Sequence, residues 1–324
     1  MSIKKRILFF CLILLLILSH IFANIHPYKE GIFLIKEGET LKTISQNLKE
    51  EGFIQNYLPF YIKLYISHNP KDIKAGSYSL NSSMKNSEIV KKIIEGDSIK
   101  EKITINEGFT INDIALYLEK KGLFNQEDFF AIAGKSEIGC PSKDFSNEFE
   151  FLKNKPKELS LEGFLFPDTY YISHNDTPEI IIKKMLSNFE KKVWDKIEDK
   201  NNLYNILKTA SLIEKEVYKN EDKKLVSSVI SNRLEIDMLL QIDASVLYAT
   251  KGKGFNPNID SPFNTYKYKG LPITPICNPG KESIDAALNP IPNNYFYYLS
   301  AKDGTTFFSE NFEEHVRNKN LYLR

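Results

Sequence analysis

Two twenty-residue stretches of this chain align without a gap at an offset of seventy residues, and this repeat constrains the fold more than any other feature. IKEGETLKTISQNLKEEGFI begins at Ile35 and INEGFTINDIALYLEKKGLF at Ile105. Glu37 and Glu107, Gly38 and Gly108, Thr40 and Thr110, Ile44 and Ile114, Leu48 and Leu118, and Gly52 and Gly122 coincide. Fixed-period similarity of this kind marks a structural unit used twice. Each copy predicts a strand, a glycine turn, a helix capped by its threonine and a glycine at the helix end. The similarity runs further: AGSYSL before SEIVKKIIEG resembles FPDTYYI before PEIIIKKMLSN, again strand then helix. That extension carries the second copy to about Asn188 and requires insertions.

The start of the chain predicts a setting for these units. Lys4, Lys5 and Arg6 precede an uncharged run from Ile7 to Ile25. Such a run makes roughly 28 Å of helix, enough to cross a hydrocarbon core of about 30 Å. The basic cluster stays cytoplasmic by the positive-inside rule, which places the rest of the chain on the outer side of the membrane. A cleaved signal peptide is the alternative, but the run is long for one and SHIFANIHPY offers no clean pair of small residues before a cut.

Composition excludes several classes. With 43 basic and 42 acidic residues the net charge is +1, so no nucleic-acid partner is expected. Cys11 lies in the apolar run, leaving Cys140 and Cys277, which allow one disulfide but no framework and no CxxC metal pair. The five histidines are scattered, so no metal site and no cofactor are expected.

One residue stands out chemically. In LYNILKTASLIEKEV the apolar Leu203, Ile206, Leu207, Ala210 and Val217 share a helix face, and Glu214 falls among them while Glu216 points the opposite way. A carboxylic acid desolvated there is expected to hold its proton near neutral pH, as a general acid must. The same placement also suits a structural glutamate held by an arginine or by backbone donors.

Two resemblances narrow the choice. The strand and helix units opening on an EGET turn resemble the LysM-like modules of cell-wall proteins, with glycan binding or a purely structural role both open. LEGFLFPDTYY from Leu161, ASLIEKEV, VSSVISNRLEIDMLLQIDASVLYA, NTYKYKGLPITPICNPGKESIDAALNP and YFYYLSAKDGTTFFS, in that order, resemble the endolytic murein transglycosylase, or YceG-like, family. The resemblance implies a lyase that cuts nascent peptidoglycan strands internally, leaves 1,6-anhydro-N-acetylmuramic acid ends and ends strand growth. It also implies peptidoglycan synthases as neighbours.

The family's catalytic acid is the first of its ASxxEKE motif, which here is Glu214. Substrate-contacting candidates are Gln241 and Asp243 in LLQIDASV, Glu162 in LEGFLFPDTYY, and Asn264 and Tyr266 in the turn-rich NTYKYKGLP loop. Asp243 serves equally as the N-cap of a helix beginning at Ala244, and Asp168 is a case similar to Glu162. Asn232 and Arg233 read as structural.

The expected architecture is α+β: a cytoplasmic tail 1–6, a transmembrane helix 7–25, a LysM-like module 26–100, a second repeat 101–155, and a mixed α+β catalytic domain 156–324. The expected location is the inner membrane, single-pass, with the catalytic domain extracytoplasmic. Two rivals are a non-catalytic wall-binding scaffold and a hydrolytic muramidase, the latter needing a second carboxylate such as Asp243 to activate water.

Overall fold

The computed structural model describes residues 28–67, 72–136, 139–173, 176–198, 200–301 and 303–323. The transmembrane helix expected at 7–25 lies outside the described residues. Among those described, no helix is long and apolar enough to cross a membrane. The fold is mixed α+β, and its contacts divide it into two compact units. One contains 28–101 with 171–173; the other contains 102–170 with the described residues from 176 onward.

The first unit begins with β1 (Glu30–Ile35), a turn at Gly38 and α1 (Leu41–Glu50). Thr40 caps α1 by accepting the N–H of Thr43, and Leu41, Ile44 and Leu48 face inward at helical spacing. Gly52 takes the left-handed φ of +82° that ends the helix. Then come α2 (Tyr57–Ser67), β2 (Gly76–Asn81) and α3 (Asn86–Glu95). β1 and β2 pair antiparallel, Glu30 opposite Asn81 and Ile35 opposite Gly76. Phe33, Tyr78, Leu48, Phe60 and Ile89 fill the core beneath them.

The second copy reproduces this order. β3 (Glu101–Thr104) leads through Gly108 into α4 (Ile111–Lys120), and α5 (Gln126–Ala133) follows. Thr110 and Asp113 form a reciprocal capping box at the start of α4, and Gly122 ends it at φ +73°. After residues 134–168, which have no counterpart in the first copy, come β4 (Thr169–Ile172) and α6 (Pro178–Lys192). β3 and β4 form a two-stranded sheet of their own. The extension of the repeat through FPDTYYI and PEIIIKKMLSN therefore corresponds to real elements in the same order.

The remaining chain adds α7 (Leu203–Glu216), α8 (Asn220–Glu235), α9 (Asp243–Ala249), α10 (Lys281–Leu288), the hairpin β5 (Tyr297–Ser300) and β6 (Thr306–Ser309), and α11 (Phe312–Tyr322). α10 packs on both α7 and α8. Leu212, Ile213, Val226, Ile230, Ile276 and Ala286 form the core between them. Phe164 of the LEGFLFPDTYY segment packs with Phe151, Phe189 and Tyr204, so its aromatic ring builds interior.

Candidate active site

Glu214 lies near the C-terminal end of α7, whose inward face carries Leu203, Ile206, Leu207, Ala210 and Ile213. Its side chain is 10% exposed, and one oxygen takes all its contacts. Oε2 accepts the Gly280 N–H at 3.0 Å and the Ser283 hydroxyl at 2.6 Å, with the Lys223 ammonium at 3.8 Å. Oε1 accepts no hydrogen bond from the described residues. The hydrogen bonds to this carboxyl thus all fall on one oxygen.

Lys223 was not among the residues the sequence suggested. It sits in an EDKK run that reads as a solvated helix start, yet its side chain is only 5% exposed. A signal was present: Val226, Ser227 and Ile230 follow at the three-, four- and seven-residue spacing of one helix face, and all are buried.

Glu107, matched with Glu37 in the repeat, was also read only as part of a turn. Its carboxylate lies against Gly280, so closely that a Cβ on that glycine would stand 2.1 Å from the carboxyl carbon. Gly280 has an ordinary φ of −74°, so close approach, and not backbone conformation, requires a glycine there. Burial raises the proton affinity of Glu107, the charges of Glu214 and Glu282 raise it further, and Lys223 opposes them. Gly108, at φ +77°, lies 3.6 Å from the Glu214 Cγ and from the Lys215 Nζ when given a Cβ. The second repeat's turn thus covers the acid.

One buried amide holds that turn in place. Asn278 Oδ1 accepts the N–H groups of Gly163 and Leu165, both at 2.9 Å. Its Nδ2 donates at 3.0 Å to the Phe109 carbonyl and to Glu162 Oε1. Its backbone exchanges hydrogen bonds with Gly108 and Phe109. The turn, the LEGF segment and the loop before α10 are therefore tied at one residue. Ser211 of α7 completes the attachment by accepting the Ile276 N–H at 3.0 Å. The neighbouring Cys277 is buried, and both it and Cys140 are free thiols, so the disulfide the sequence allowed is absent.

The proposed substrate contacts separate into different surroundings. Glu162 is 1% exposed, and its oxygens accept from the Ile111 N–H, the Ser136 and Tyr248 hydroxyls and Asn278. Burial pushes its pKa up to about 7 against those donors. It supports the start of α4 from inside. Asn264 is likewise buried and donates at 2.8 Å to the Pro257 and Ile259 carbonyls, fixing a loop. Gln241 is exposed at a left-handed φ of 49°, and its N–H meets the Thr265 carbonyl.

Asp243 accepts the Tyr266 hydroxyl and makes no capping bond. The N–H of Ala244 goes instead to Glu216 at 3.3 Å, so the glutamate two residues past Glu214 serves the start of α9. Burial raises the proton affinity of Glu216 as well, which the Ala244 N–H offsets and the Asp243 charge reinforces. Asp168 binds Asn188 and Lys192 of α6, while Asn232 and Arg233 donate to backbone carbonyls of the segment before β5, as structural residues do. No cluster of metal-ligand type occurs among the described residues.

A cavity of about 690 Å³ opens beside this centre, walled by Thr110, Asp113, Lys215, Tyr248, Lys251 and Phe263. Glu214 does not line it, although its neighbour Lys215 does.

Comparison with known proteins identifies relatives of this chain. Two Streptococcus pneumoniae proteins, from strains D39 and R6, named endolytic murein transglycosylase, are each 33% identical over 315 residues, covering 88% of this chain. The chain spans 57% of their length. A Bacillus subtilis protein of the same name is 33% identical over 304 residues, covering 89% of this chain and 84% of its own. The crystal structure of a YceG-like protein from Listeria monocytogenes superposes with a TM-score of 0.57 at 30% identity, covering 90% of this chain and 99% of that one. The profile of the YceG-like family matches residues 33–321, and the chain belongs to that family.

Proposed function

We propose that this chain is a lytic transglycosylase that cuts peptidoglycan glycan strands internally, with Glu214 acting first as acid and then as base. The name carried by its relatives supports the substrate and reaction. The observation that carries the assignment is the one-sided anchoring of Glu214, with both of its hydrogen bonds from the described residues on Oε2. In the first step the Oε1 proton passes to the glycosidic oxygen and the bond to C1 breaks, its electron pair leaving with that oxygen. In the second, the 6-hydroxyl of the same muramic acid attacks C1 and returns its proton to Glu214. No water is consumed, and the intramolecular hydroxyl benefits from high effective molarity.

Hydrolysis is the alternative that shares the acid and adds a carboxylate-activated water. Asp243 is engaged with Tyr266, on the Glu216 side of α7. Product mass distinguishes the two. Purified chain with uncrosslinked glycan strands is expected to yield anhydro-ended fragments lighter by one water than hydrolytic ones. Reducing ends overturn the lyase reading, and no cleavage favours a binding scaffold. The apolar run 7–25 supports a single-pass anchor with the described residues extracytoplasmic, the repeat supports a LysM-like role in holding glycan, and strand termination supports synthases as neighbours. Release of the full chain from membranes by salt alone would overturn the anchor.

A further inference from the structure

The second helix of the first unit departs from the usual pattern of a surface helix. α2, YLPFYIKLYIS, contains no acidic residue, and its only charge is Lys63. Phe60 and Leu64 turn inward and join the core that α1 also lines. At 3.6 residues per turn the opposite pole of α2 is Leu58, Ile62 and Ile66, one above another at four-residue spacing, with Tyr65 beside them. Leu58 is 52% exposed, Ile62 45%, Ile66 77% and Tyr65 62%. An amphipathic surface helix turns polar residues to this side, and a contiguous exposed apolar face marks a contact surface.

We infer that this face of α2 lies in the headgroup region of the extracytoplasmic leaflet, so that the first unit rests on the lipid surface through an interfacial helix. This rests on the single-pass anchor proposed above and adds to it a second, shallow attachment. Three observations select lipid as the occupant. The first is reach: only four residues separate Ile25, the last of the apolar run, from Glu30 of β1. Fully extended they span about 15 Å, so a chain anchored by that run keeps the first unit against the membrane surface. The second is placement. Lys29, through which the chain enters the unit, holds its ammonium 5.9 Å from the centre of the Phe53 ring and its stem 3.9 Å from where a Gly52 Cβ would stand. The chain's entry and the loop leading into α2 therefore share one edge of the unit. The third is composition. Tyr57, Tyr61 and Tyr65 recur every four residues on one flank of the apolar pole, the rings of Tyr61 and Tyr65 stacked 6.0 Å apart, and Lys63 stands on the other flank. Phenol rings keep their hydroxyls wet while the ring body enters the boundary, and a lysine reaches the headgroup phosphates, as in helices that lie in a bilayer interface. α2 brings no carboxylate toward anionic lipid.

The test places a fluorescent reporter in the face. Trp194 is the only tryptophan of the chain and is buried, so Ile62→Trp adds one distinguishable probe. The full chain carrying Ile62→Trp is reconstituted in vesicles of phosphatidylethanolamine and phosphatidylglycerol whose acyl chains are brominated either near the headgroup or near the terminal methyl. An interfacial helix buries its apolar face about 5–10 Å into the headgroup boundary. Shallow bromine is therefore expected to quench the added emission severalfold more than deep bromine, in high salt as in low, while the unaltered chain is quenched by neither. Adding Ile66→Glu is expected to abolish the quenching without lowering Tm; quenching that survives this charge overturns the inference. Added emission open to a soluble quencher and insensitive to bromine, with the chain still held on the vesicles in high salt, overturns the inference and leaves the anchor standing. Emission shielded from the soluble quencher yet insensitive to bromine overturns it in favour of a second copy of the chain on this face. Release of the chain from the vesicles by salt overturns the anchor and the inference with it.

Discussion

The two copies of the repeat share a turn and differ in what the turn faces. In the first, Gly38 at φ +77° has nothing within 4 Å of where a Cβ would stand. In the second, Gly108 has the same φ of +77° but lies over Glu214 and Lys215, and Glu107 rests on Gly280. Local sequence made the same turn twice; only the second copy's turn lies beside Glu214 of α7 and Gly280. The lesson is that a repeat carries geometry, and the partner it packs against supplies the function.

The sharpest way to break that comparison is to remove the acid the second turn covers. Glu214→Gln keeps shape and loses the titrating proton, so release of anhydro ends should fall about 10²- to 10⁴-fold while the unfolding midpoint stays near that of the unaltered chain. Activity within a factor of two would remove Glu214, and with it the significance of the second turn.

A smaller effect tests the insertion that only the second copy contains. Burial raises the pKa of Glu162 from 4.5 to about 7. A carboxyl whose folded pKa is raised contributes stability in full below its unfolded value and loses that contribution as pH rises through the folded value. Between pH 4.5 and about 7 the unfolded chain gives up this proton first, so stability should decline by about 3 kcal/mol across the window. Glu162→Gln has no proton to lose, and chemical denaturation at several pH values should show the decline reduced; an unchanged slope would assign it to other groups.

The smallest effect compares the turns directly. Gly38→Ala and Gly108→Ala each force an L-residue to a left-handed φ, costing about 1 kcal/mol apiece by thermal unfolding. Only Gly108→Ala should also slow turnover. Equal loss of activity from both would erase the distinction between the copies.

How much of this was legible in the sequence depended on the distance over which each contact acts. Caps, glycine turns and the α7 face are set within one or two helical turns, so Thr40, Thr110, Gly122 and the inward position of Glu214 could be read directly. The centre around Glu214 is built from Glu107, Lys223 and Gly280, which lie far apart in the chain and meet only by packing. Buried polar side chains were the other obstacle. Glu162 and Asn264 looked like polar residues for a cleft, but each satisfies interior donors or carbonyls, a role composition does not distinguish. Asp243 looked like a cap, whereas Glu216 arrived from another helix to take that N–H.

Asn278 has a consequence for how the protein comes into being. Its amide reaches residues 113, 115 and 169 positions earlier in the chain. Contacts of such separation close late, because the loop entropy must be met before they form. During synthesis the first repeat can fold on the contacts within its own hundred residues, but the centre has no seat for its second turn until Asn278, Gly280 and Ser283 have emerged. A nascent chain would fold its N-terminal module first, and the surroundings of Glu214 would form only once residues 278–283 have been made.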